Sequence, residues 1–281
     1  LLEPPEALTW SVKYCLLKTL DCLIGPLEMG TQLFFAIDLT LARFVGLNLI
    51  SPMRESTGAG NGSLDAIPVE VSTLRIGDHE ALDLDALPVD LSALGNQLEV
   101  PLYGVSGFSL LKKPRDRSEF SCRSLSFLKA MNDLGGDVAG VVQTGMHSAA
   151  DANIPVIDGL EINGISMRAA LDTGSSRTAT LYPSAVMQLD SGQLQSEDST
   201  SATGTGFTGT SPYHPVVVSS VSIGGLSFGR QEVFALTPGK RLPTPENEAA
   251  VNIGSGLLKS CVLTLDYKRM IVQIHGCISV K

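Results

Sequence analysis

The sequence predicts an all-β fold of two similar lobes with short helices, and three observations carry that reading. Short runs rich in β-branched residues alternate with glycine turns along most of the chain. The second half repeats the features of the first, in the same order, at an offset of about 140 to 150 residues. The chain has 281 residues and is 43% hydrophobic and 17% charged, which is enough apolar material to fill a substantial core.

The repeat is clearest when read from the second half. An apolar run enters Asp172-Thr173-Gly174, and a Gly-rich stretch from Gly204 to Gly209 leads to an alternating strand, Val216 to Ile223, closed by Gly224-Gly225. The segment Ile253-Gly254-Ser255-Gly256-Leu257-Leu258 follows, and then a hairpin pattern from Val262 to Ile274. In the first half Glu28-Met29-Gly30 stands at the Asp-Thr-Gly position, and Gly58 to Gly62 stands for the Gly-rich stretch. Val69 to Ile76 ends at Gly77, and Ser106-Gly107-Phe108-Ser109-Leu110-Leu111 answers the Ile-Gly-Ser-Gly-Leu-Leu segment. Small residues paired ahead of Leu-Leu are not generic turn chemistry.

The stretch from Gly135 to Asp151 is rich in small residues and suits a boundary near residues 145 to 152, dividing the chain into lobes 1–145 and 146–281. A helix is predicted between Ser124 and Leu134. The closing hairpin of the first copy is poorly matched, because Ser118 to Cys122 lacks the strand-Asp-Tyr-strand pattern of the second.

A formal charge of -9 without a dense Lys/Arg run excludes nucleic acid as a natural partner. The apolar stretch from Leu16 to Leu27 is broken by Lys18, Asp21, Gly25 and Pro26 and is too short for a membrane span. The first residue is Leu1 rather than Met, so an N-terminal targeting signal can have been lost with the true beginning. Five cysteines at irregular spacings form no zinc pattern and read as small, partly buried free thiols, with one or two disulfides as the alternative.

Peptide hydrolysis without a metal needs a base for water, an acid for the leaving nitrogen and a group that polarises the carbonyl. Two carboxylates a few ångströms apart supply all three. Like charges so close cannot both ionise cheaply, so the pair holds one proton; the ionised member activates water and the protonated member donates to the carbonyl oxygen. In Asp172-Thr173-Gly174-Ser175-Ser176 the glycine permits the tight loop that carries the carboxylate out of a strand, and the hydroxyls supply hydrogen bonds. Ser175 and Ser176 are expected to add donors that favour the ionised carboxylate.

Ala169 to Ser176, the Gly204 to Gly209 stretch and Ile253 to Leu258 resemble the catalytic loop, flap and second glycine motif of retropepsin-like and pepsin-like aspartic peptidases. The resemblance covers residues 153 to 276 well and 25 to 113 weakly. It implies an acid-protease-like barrel with Asp172 catalytic, Thr173 locking two loops together, and Gly174 and Ser175 supporting the loop. It further implies a flap carrying Gly204, Gly206 and Phe207 over a peptide or protein substrate held extended, and Gly254 packed beside the catalytic loop. Hydrolysis in such a site uses no metal and no organic cofactor.

The family needs two lobes, from one chain or from a homodimer. Here the first copy departs from the pattern: Glu28 pushes its carboxylate out by a methylene, and Met29 removes the hydroxyl lock. Three readings follow. A two-lobed monomer pairs Asp172 with Glu28, or with Asp21; a homodimer pairs two copies of Asp172; or an inactive pseudopeptidase keeps the cleft as a peptide-binding module.

Among other residues, Tyr213 and Phe207 lie near the flap as covers for a peptide or as sheet packing. Asp266, in Leu265-Asp266-Tyr267, reads as a structural residue of a hairpin turn. His79, His147, His214 and His275 are scattered and form no metal or triad pattern, and no Gly-x-Ser-x-Gly elbow is present.

Overall fold

The computed structural model describes residues 8–10, 35–49, 54–57, 63–66, 68–76, 79–99, 101–106, 117–121, 124–128, 141–148, 155–189, 194, 202–206, 209–237, 248–266 and 269–275. In the first half lie β1 (Leu8–Trp10), β2 (Phe35–Asp38), α1 (Leu39–Phe44), β3 (Arg54–Thr57), β4 (Ser63–Ala66), β5 (Val69–Ile76), β6 (His79–Val89), α2 (Ser92–Leu98), β7 (Gly104–Ser106), β8 (Arg117–Ser121) and β9 (Ser124–Leu128). The second half holds β10 (Val142–Ser148), β11 (Pro155–Ile162), β12 (Ile165–Asp172), β13 (Ala179–Leu181), α3 (Pro183–Gln188), β14 (Ala202–Gly206), β15 (Gly209–Ile223), β16 (Leu226–Leu236), β17 (Val251–Gly254), α4 (Ser255–Leu258), β18 (Val262–Asp266) and β19 (Ile271–His275). The fold is all-β with short helices.

Turn chemistry sets the long hairpins. Asn163 and Gly164 take positive φ between β11 and β12, as Gly224 and Gly225 do between β15 and β16, which matches the right-handed twist of the flanking strands. Asn163 tolerates that conformation because its Oδ1 accepts hydrogen bonds from the Ser219 N–H, the Ser219 hydroxyl and the Ser220 N–H.

One large sheet runs in the order β14-β15-β16-β13-β17-β12-β11-β10-β19-β18-β8-β9, with β15 also meeting β11. A smaller one runs β1-β5-β6-β2-β7. The main core fills the second half, where Ile157, Leu160, Ile162, Val218, Val233, Val251 and Val272 are fully buried. The first half has its own cores under β5, β6 and β2 and beside α2. Each β6 and β16 forms a hairpin with the strand before it.

Pairing recurs between the halves. β13 lies between β16, parallel, and β17, antiparallel; β2 lies between β6, parallel, and β7, antiparallel. A short helix follows each of these strands, α3 after β13 and α1 after β2. Among the described residues, no helix is long and apolar enough to cross a membrane.

Three expectations are corrected. Ser124–Leu128 is strand β9, not helix: Ser-Leu-Ser-Phe-Leu alternates with period two and finds a partner in β8. Residues 129–134 lie outside the described residues. The first-copy closing hairpin is present as β8–β9, and β8 pairs antiparallel with β18, Leu263 opposite Phe120 and Leu265 opposite Ser118. Buried Cys261 is disulfide-bonded rather than a free thiol.

Candidate active site

Asp172 is the last residue of β12, and the three residues before it, Ala169, Ala170 and Leu171, are buried. Their small and apolar side chains let the strand run through the core beside β17, with Asp172 opposite Gly254. The carboxylate reaches the loop only 6% exposed.

Every acceptor site observed in use on that carboxylate faces a donor. Oδ1 accepts from the Gly174 N–H at 3.0 Å and the Ser175 N–H at 3.1 Å. Oδ2 accepts from the Asn252 side-chain amide at 3.0 Å. Burial pushes the Asp172 carboxyl up to about 6, while Asn252, the two N–H groups and the nearby Arg177 cation oppose that rise. Desolvation therefore outweighs the donors, the opposite of the balance that the serine-rich loop suggests. Ser175 does donate, through its backbone; its hydroxyl accepts from the Arg177 N–H instead, and Ser176 makes no hydrogen bond to the carboxylate.

The loop is pinned from below by the second glycine segment. Thr178 O accepts from Gly254 N–H, Arg177 O from Gly256 N–H, and Ser175 O from both the N–H and hydroxyl of Ser255. A Cβ on Gly254 would lie 2.2 Å from Arg177 O and 2.6 Å from Ser175 O, so glycine is needed there for close backbone approach. The Thr173 hydroxyl is buried and has no hydrogen-bond partner among the described residues.

The flap residues also have a place. β14 and the start of β15 form a hairpin with Gly204 opposite Ser211 and Gly206 opposite Gly209. Phe207, at its tip in sequence, lies outside the described residues, as do Glu28 and Asp21. Tyr213 packs by its ring: the Arg177 guanidinium stacks 3.8 Å from its centroid, with Phe234 at 5.4 Å. Arg177 thus ties the Asp172 loop to the base of the hairpin.

Sequence reasoning missed Asn252 and Arg177. The signal for Asn252 was an amide within the apolar run Ala249 to Ile253; that for Arg177 was a cation five residues beyond Asp172. Asp266, at the end of β18, is buried and accepts from the Arg269 N–H, a turn-holding role.

Gly204→Ala tests the tie between loop and hairpin. Its Cβ would come within 1.9 Å of an Arg177 guanidinium nitrogen and 2.8 Å of the Tyr213 ring, so the stack must separate. The variant should lose about 1–2 kcal/mol of stability in urea unfolding.

Residues 159–255 match a protein-family model described as "Aspartyl protease". An aspartic proteinase from Irpex lacteus shares the fold at a TM-score of 0.50 and 11% identity, covering 91% of this chain and 89% of that one. A retropepsin-like aspartic protease from Rickettsia conorii is also similar, at 17% identity and a TM-score of 0.32, covering 48% of this chain and 89% of that one. No curated protein sequence matches the chain. Residues 159–255 are thus similar to aspartyl proteases, and the chain shares the fold of the Irpex lacteus proteinase.

Proposed function

We propose that the chain is an aspartic-type endopeptidase in which Asp172 activates the attacking water and Glu28 is its partner acid. The observation that carries the proposal is the Asp172 carboxyl: buried at a strand end, held on both oxygens, and raised to about 6, near the range where a group takes and returns a proton readily. In this reaction the water O–H breaks, its proton passes to Asp172, and the oxygen adds to the peptide carbonyl, whose oxygen is polarised by the protonated partner. Collapse of the adduct delivers a proton to the leaving nitrogen.

Counting supports Glu28 as that partner. Asp172 lies seven positions before Ala179, the first residue of β13, and Glu28 seven positions before Phe35, the first residue of β2. The recurrent pairing of β13 and β2 supports reading the two positions as equivalent along the chain. The repeat supports a division into lobes 1–145 and 146–281; among the described residues β10 pairs with β11 and β19, strands of the second half. The unpartnered Thr173 hydroxyl favours a facing loop, from the first lobe or from a second copy of this chain. β14 stands at the end of the large sheet, an edge to which an extended peptide adds by main-chain hydrogen bonds.

Met29, at the position of Thr173, favours the second reading, a pseudopeptidase that binds peptide without cutting it. Digestion of an unfolded protein between pH 3 and 7, with light-scattering mass, separates the readings. Loss of cleavage in both Asp172→Asn and Glu28→Gln supports the two-lobed enzyme. Retention in Glu28→Gln with a dimeric mass assigns the second carboxylate to a second copy. No cleavage by the wild-type chain, with peptide still bound, establishes the binding module.

A further inference from the structure

We infer that Asn252 is a positioning residue for Asp172, an amide built into the sheet to hold Oδ2 and favour the ionised carboxylate. The kinetic part of this inference rests on the peptidase reading; the structural part stands without it.

Position comes first. Asn252 lies in β17, opposite Ala170 of β12 and Thr180 of β13, so both neighbouring strands fix its backbone. All four residues of β17 are buried, and Asn252 is the polar one among Val251, Ile253 and Gly254, itself 7% exposed. An aliphatic side chain would meet the packing demand of such a strand at lower desolvation cost.

Its hydrogen bonding is one-sided. Nδ2 donates to Asp172 Oδ2 at 3.0 Å, whereas Oδ1 is buried with no partner among the described residues. A residue kept for stability would have both ends satisfied, because an orphan buried acceptor is destabilising. Half of this amide therefore works for the fold at a loss, and the other half works on Asp172.

The bond also completes a division of labour. Two backbone N–H groups occupy Oδ1, and a backbone donor cannot be removed by a change of side chain. Among the described residues Oδ2 has Asn252 as its donor, so the side chain at position 252 bears on how far the carboxylate is stabilised and how its plane is set. Arg177 is the charged group acting on Asp172 among the described residues, and it sits in the loop rather than on β17. A donor to the charged form favours ionisation, so losing it must move Asp172 towards protonation.

The test follows Asp172 directly by carbon NMR of protein labelled at the aspartate carboxyls, with the resonance identified by its loss in Asp172→Asn. In the wild-type chain the Asn252 side-chain amide resonances should titrate with the same midpoint as the Asp172 carboxyl. In Asn252→Leu that midpoint should rise by about one pH unit, a roughly tenfold weaker ionisation. Asn252→Asp keeps the shape and puts a second acid on Oδ2; it should also raise the midpoint, since the two carboxyls then share a proton. If the enzyme cleaves peptide, the acid limb of kcat/KM should move with the NMR midpoint. Midpoints in the folded variants within about 0.3 unit of wild type, or an Asn252 amide indifferent to the Asp172 titration, would overturn the inference. The wild-type amide titration decides it should neither variant fold. A chain that cleaves nothing yet shows these shifts would refute the peptidase reading and leave the role of Asn252 intact.

Discussion

Asp172→Asn should abolish peptide cleavage and, at neutral pH, make the protein more stable. On the proposed peptidase mechanism, the loss of activity follows from removing the group that would accept the proton of water, worth about 10³-fold. The stability change has a definite sign. The folded carboxyl titrates at about 6 against an ordinary value of 3.8, so the fold favours the protonated form. Its stabilising contribution is complete below 3.8 and is lost as pH rises through 6. Wild type therefore gives up roughly 3 kcal/mol at most between those limits, and the neutral amide gives up none. The amide also fits: its oxygen can take the Gly174 and Ser175 N–H bonds, and its nitrogen can donate to Asn252 once the unpartnered Oδ1 is turned towards it. Thermal melts of both proteins at pH 4 and pH 7 should nearly coincide at the first and separate by several degrees at the second.

Gly254→Ala should be among the most damaging single-methyl changes at the described glycines. Both nearest atoms are backbone carbonyl oxygens, of Arg177 and Ser175, so no side-chain rotation can make room. The loop must lift from β17 and α4, which breaks the bonds from Gly254, Ser255 and Gly256 that hold residues 175–178. A loss of more than about 3 kcal/mol in urea unfolding is expected, together with loss of the Asp172 geometry. Gly145→Ala is the control: it sits in β10 with nothing within 4 Å of an added Cβ and should change stability by less than about 0.5 kcal/mol. Equal effects in the two variants would contradict the close-approach argument.

The parts of the molecule written in short-range chemistry were legible in the sequence. Asp172-Thr173-Gly174 marks a strand-to-loop exit, and the glycine pair at Gly224-Gly225 marks a hairpin, because each depends on a few adjacent residues. The hairpins β5–β6 and β15–β16 follow from the same local turns. What failed depended on partners far along the chain. Ser124 to Leu128 can be read with either period, and only the long-range addition of β8–β9 to β18 decides for a strand. Cys261 could not be assigned a bond from an odd count of cysteines. Asn252 contacts a residue eighty positions earlier, so no window around it reveals its purpose. The electrostatics misled for a similar reason: hydroxyls beside Asp172 are visible in sequence, whereas the burial that raises its carboxyl comes from the whole sheet.

The ladder between β8 and β18 has a mechanical consequence. Residues more than 140 apart share main-chain bonds there, so β8 and β9 belong by their backbone to the second half's sheet, across from strands far along the chain. Pulling β8 from β18 means shearing a row of in-register bonds together, a process that resists until it yields as a whole. Hydrogen exchange should accordingly find the amides of β8 protected to about the same degree as those of β18.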